Sequence, residues 1–114
     1  MMNQLESSAQ LFKTLSEPVR LRVLNLLIHA EQEICVCDLM QILEIPQSVV
    51  SRHLAYLRKA DLVNSRREGV WIHYSVNAQL DQLPQAVLLL LKESAESNSV
   101  LKADIAKLGT SCCL

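Results

Sequence analysis

The sequence predicts a mainly α protein with a β-hairpin wing, a winged helix-turn-helix, on three observations. Half of the residues are hydrophobic but only 4% are aromatic, and Leu, Ile, Val and Ala fill the apolar positions, as in packed helices. Two helical stretches flank a short turn at Ile45-Pro46, and the second is apolar on one side and polar on the other. From Leu62 the apolar residues alternate instead, around a single glycine.

A chain of 114 residues suits one domain, expected over residues 1–109, with residues 110–114 as a mobile tail carrying Cys112 and Cys113. Leu5, Leu11, Phe12 and Leu15 sketch a first amphipathic helix. Ser16-Glu17-Pro18 then breaks it and starts another, since proline is tolerated in a first turn. That second helix runs from about Pro18 to His29 and is apolar nearly all round, which puts it in the middle of the core. Arg20, Arg22 and Asn25 mark its outer edge. Ile34 to Leu43 reads as a third helix, ended by Ile45-Pro46 because the residue before proline resists the α conformation.

The fourth helix begins near Gln47 and continues to Ala60, with Val50, Leu54 and Leu57 as its apolar stripe. Gln47, Ser48, Ser51, Arg52 and Lys59 fall on the other side, where they are available to a partner. Val70, Ile72, Tyr74 and Val76 alternate with polar or amphipathic residues in a hairpin that turns at Gly69. Arg66 and Arg67 near its tip suit phosphates or a minor groove. The last helical region starts around Leu83-Pro84, breaks near Ser97-Asn98-Ser99 and resumes from Val100 to Leu108 before Gly109. Its stretch Val87 to Leu91 is apolar all round, more than a small domain can bury alone, which points to a second subunit.

The net charge of −1 conceals a segregation: residues 1–47 carry −3, residues 48–74 carry +3 and residues 75–114 carry −1. Screening limits each charge to about 10 Å, so the central segment can attract phosphate although the whole is slightly acidic. No apolar run approaches the roughly 20 residues of a membrane span, so no membrane partner is expected. The N-terminal MMNQLESSAQ lacks the marks of a signal peptide, so a cytoplasmic setting with reduced cysteines is expected.

Four stretches, FKTLSEPVRLRVLNLL at 12–27, ICVCDLMQIL at 34–43, SVVSRHLAYLRKADLV at 48–63 and RREGVWIHYSV at 66–76, resemble the ArsR/SmtB family of arsenical- and metal-responsive repressors. CVCDL points within that family to its arsenic-responsive branch. The resemblance implies a homodimer through the first and last helices, for which Leu5, Leu11, Val87, Leu88 and Leu91 are the candidate contacts. It also implies that Gln47, Ser48, Ser51, Arg52 and His53 meet double-stranded operator DNA; His53, at the margin of the apolar stripe, suits packing equally well. Pro46 and Asp61 depart from the serine and glycine common at those places in the family.

Cys35 and Cys37 are the candidate metalloid ligands, because thiolates suit trivalent arsenic and antimony and a helix N-terminus favours the thiolate. The inducers implied are arsenite, antimonite or an organic trivalent arsenical, and no cofactor is required. Residues two apart on a regular helix point about 200° apart, so sharing a ligand is expected to require the first turn to loosen. Met40 stands where the resembling repressors supply a third cysteine. Cys112 or Cys113 could supply that sulfur, form a separate site, oxidise, or do nothing. A thiol-redox repressor is the alternative function. The absence of histidine between residues 79 and 108 argues against a zinc or nickel site on the last helix. With two glycines there is no phosphate-cradling loop, and no histidine neighbours a cysteine, so an enzyme is not expected.

Overall fold

The computed structural model describes residues 3–30 and 32–109. Asn3 caps α1 (Gln4–Thr14), its side chain accepting from the Glu6 backbone N–H at 2.8 Å. Glu17 does the same for α2 (Pro18–His29), accepting from Arg20 N–H at 3.1 Å, while Pro18 occupies the first turn, where no N–H is needed.

A short strand, β1 (Ile34–Cys35), leads directly into α3 (Val36–Leu43). This corrects the expectation of a helix from Ile34. Ile34 and Cys35 are antiparallel partners of Tyr74 and His73, so the sheet takes up backbone groups that a longer helix would have used. Two residues are too few to impose a visible alternation. Glu44 ends α3 in the left-handed conformation at φ 57°, its N–H reaching Met40 O at 2.8 Å.

Pro46 precedes α4 (Gln47–Lys59), and Asp61 follows it in the left-handed region at φ 60°. Leu62 N–H bonds Leu57 O at 3.1 Å across that bend, the six-to-one bond of a Schellman stop. Aspartate thus takes the conformation expected of a glycine there. β2 (Val63–Glu68) and β3 (Trp71–Val76) form the hairpin, turning through Gly69 at φ 62° and Val70. Positive φ at the first turn position is what a two-residue type II′ hairpin demands of glycine. The sheet order is β1-β3-β2, antiparallel throughout.

α5 (Gln82–Ser94), a 3₁₀ turn (Ala95–Ser97) and α6 (Ser99–Ala106) complete the described chain. Asn98 caps α6 by accepting from Val100 and Leu101 N–H. Val23, Leu24 and Leu26 of α2 are fully buried among Leu39, Val50, Leu54 and Leu57, so α2 lies centrally, as its composition predicts. Asn25 is not on an outer edge, however: α6 covers it, its Nδ2 donates to Leu101 O at 3.3 Å, and its Oδ1 is buried without a protein partner. Beside it, the Arg22 guanidinium grips the buried Asp104 carboxylate through two bonds of 2.8 and 2.9 Å.

Two of the candidate dimer contacts are also corrected. Leu11 and Leu88 lie inside the protomer's own core, because α1 packs on α5 and each turns its most central leucine inward. Val87 and Leu91 are half-buried against that core, and Leu5 is 79% exposed. Phe12, Leu89 and Leu90 join Leu5 in facing outward. Among the described residues, no helix is long and apolar enough to cross a membrane.

Candidate nucleic-acid interface and sulfur pair

At 100° per residue, Gln47, Ser48, Ser51, Arg52, Arg58 and Lys59 fall within an arc of about 140° on α4. All six are exposed. Val50, His53, Leu54 and Leu57 occupy the opposite arc and are buried. Pro46 supplies no side-chain cap, so the first turn of α4 presents uncapped N–H groups beside Gln47 and Ser48. Arg58 was not singled out in the sequence; its Nη1 donates to Ser65 Oγ at 3.3 Å and links the end of α4 to the wing.

His53 is placed by the structure inside, not on the outer face. Arg20 Nε donates to its Nδ1 at 3.3 Å, Glu17 lies 3.7 Å from the same nitrogen, and the residue is 6% exposed. Burial pushes its pKa down, Glu17 opposes that, and the nearby Arg20 and Arg52 charges add to the depression. Arg20 also donates to Thr14 O at 3.4 Å and stacks 4.0 Å from the Tyr56 ring centroid. One arginine of α2 therefore holds α4 at two points, His53 and Tyr56, and fixes how α4 is presented.

On the wing, Arg67 is exposed near the Gly69-Val70 tip. Arg66 is engaged instead. Its Nε and Nη2 donate to Glu33 at 2.7–3.1 Å and its Nη1 donates to Glu68 at 2.8 Å. These bonds push the arginine pKa up and hold both carboxylates below their ordinary range. Glu33 is a residue that sequence reading missed, since an acid in a polar link carries no signal of its distant partner.

The Sγ atoms of Cys35 and Cys37 lie 2.9 Å apart, Cys35 buried and Cys37 half-buried. This overturns the expectation that the first turn of α3 must loosen before the sulfurs can meet. Cys35 is not helical but the extended N-cap residue, at φ −72° and ψ 146°, so its side chain turns onto Cys37 while α3 stays wound. Met40 packs against the core. Cys112 and Cys113 lie outside the described residues. Among the described residues, no set of three His, Cys, Asp or Glu side chains is placed to hold a metal ion.

Residues 17–65, from the cap of α2 into β2, match the family described as "Bacterial regulatory protein, arsR family". Two curated relatives, the arsenic resistance transcriptional regulators ArsR1 and ArsR2 of Pseudomonas putida, are each 41% identical, over 87 and 95 residues. These alignments cover 76% and 83% of this chain; the chain spans 65% of the first relative's length and 79% of the second's. Among solved structures, HlyU from Vibrio cholerae is similar with a TM-score of 0.69 and 31% identity, covering 82% of this chain and 96% of that one.

Proposed function

The chain belongs to the ArsR family of bacterial regulatory proteins, and from that premise we propose that it is a metalloid-responsive repressor that binds operator DNA as a homodimer. The outer arc of α4 reads the major groove through Gln47, Ser48, Ser51 and Arg52, with Arg67 and Arg66 of the wing on flanking phosphates. Trivalent arsenic or antimony, inorganic or organic, binds the sulfurs of Cys35 and Cys37 and releases the DNA. The observation that carries this reading is the 2.9 Å sulfur pair at the head of α3, the helix that packs on the DNA-facing α4. Soft thiolates favour such ions over oxygen or nitrogen ligands. The two Pseudomonas putida relatives are named for arsenic resistance, which supports the same ligand class.

Two sulfurs already side by side suit a singly substituted arsenical, which needs two. Inorganic arsenite takes a third, for which Cys112 or Cys113 is the source proposed. The dimer forms through the exposed apolar side chains of α1 and α5, and the protein works in the cytoplasm.

A second reading is favoured by the same short sulfur approach: in the reduced protein, peroxide oxidises Cys35 and Cys37 to a disulfide and is itself reduced to water, and that change releases DNA. Fluorescence anisotropy separates the readings by comparing DNA release with arsenite, phenylarsine oxide, antimonite, zinc and peroxide. We expect Arg52→Ala to weaken binding by about 1–3 kcal/mol. Cys35→Ser retains binding and loses release. Loss of both properties in Cys35→Ser would defeat the assignment of separate DNA and ligand sites.

A further inference from the structure

We propose that Glu33 competes with operator phosphate for Arg66, and that this exchange carries the state of the sulfur pair to the wing. This rests on the DNA-binding reading above. All three guanidinium nitrogens of Arg66 are engaged, two by Glu33 and one by Glu68. A phosphate offers arginine the same forked geometry as a carboxylate, so Glu33 and a phosphate cannot hold the Nε–Nη2 edge together. Arg66 and Glu33 are both partly open to water, where ion pairs exchange partners at little cost. The wing arginine is therefore poised between an internal and an external anion.

The sulfur pair is wired to this clamp by the sheet. Cys35 is opposite His73, and His73 is opposite Arg66, so the three residues form one row across β1, β3 and β2. Directly opposed residues of antiparallel strands share a face and sit about 5 Å apart at Cβ. Glu33 lies two residues before Cys35 on the same strand approach. A ligand that repositions Cys35 shifts β1 against β3 and moves the Glu33 carboxylate relative to Arg66. Because the sulfurs meet with α3 wound, this route needs no melting of the helix.

The test is anisotropy across a salt series, using a fluorescein-labelled duplex that the wild-type protein has selected from a random pool. Glu33→Gln is expected to tighten binding and to steepen the log–log salt dependence by about 0.9 for each additional phosphate neutralised. Glu33→Asp keeps the charge but shortens the reach, and is expected to behave in the same way. Adding Arg66→Gln cancels the tightening. An unchanged slope, a Glu33→Asp variant that behaves as wild type, or a tightening that survives Arg66→Gln overturns the competition. With salt adjusted so that both proteins hold the duplex equally tightly, half-release by phenylarsine oxide is expected to need severalfold more compound in Glu33→Gln than in wild type, and equal sensitivity overturns the relay. Failure of the wild-type protein to bind any duplex would overturn the DNA-binding reading, and this proposal with it. Thermal melts of each variant verify folding, since Glu33 is an exposed position.

Discussion

His53 shows how a residue at the edge of a stripe is decided by its neighbours. On α4 it sits where packing and surface are both geometrically open, and Arg20 from another helix draws it inward. Its Nδ1 accepts a hydrogen bond, which requires the neutral ring, and burial holds its pKa below the ordinary 6.5. As pH falls through 6.5 the unfolded chain takes up a proton that the folded protein refuses, so stability drops toward acid until the depressed folded pKa is passed. Melting temperatures measured on a descending pH series will show this loss. In His53→Gln the part of it due to the imidazole will vanish, and an unchanged pH profile in that variant would place the titration elsewhere. The cysteines teach the complementary lesson. Spacing alone suggested opposed sulfurs, because it assumed that both residues were helical, whereas one backbone torsion at Cys35 brings them together.

At the scale of elements, α2, α4 and the hairpin were legible because each carries many apolar residues on one period, and Gly69 marks the turn. β1 was not legible, since a two-residue strand is defined by its partner and not by its own pattern. The seat of α6 was also hidden. Its attachment is a polar seam in which Arg22 and Asn25 of α2 meet Asp104 and Leu101, residues far apart in sequence. Periodicity assigns such side chains to solvent, and only the covering helix makes them internal. Asp104 is 2% exposed, so removing its partner strands a carboxylate. Arg22→Ala is expected to cost about 3 kcal/mol in chemical denaturation, the lower part of the range for broken buried pairs because Arg22 itself remains partly wet. A cost well under that would mean that α6 detaches readily and lets water reach the carboxylate.

For the molecule as a whole, the apolar excess of the last helices pointed to a partner, but which side chains are left over depends on how α1 and α5 pack together. Leu11 and Leu88 are spent inside, while Phe12, Leu89 and Leu90 remain outside at 54–62% exposure. On the homodimer reading proposed above, these exposed apolar side chains of α1 and α5 are the ones a second copy would cover. Leu90→Glu is expected to weaken self-association by at least roughly tenfold in sedimentation, because a carboxylate would enter an apolar contact. Operator binding should weaken with it, while the thermal melt of the isolated subunit changes little. Unaltered sedimentation would exclude α5 from the contact.

The sheet has a consequence for crowded conditions. One margin ends after two residues at Ile34–Cys35, and the other carries Arg66, Arg67 and Glu68 in succession. Short or highly charged margins make poor templates for an additional strand. Among the described residues, these two margins thus offer little to a strand from another copy at high concentration, even though a hairpin is held out into solvent.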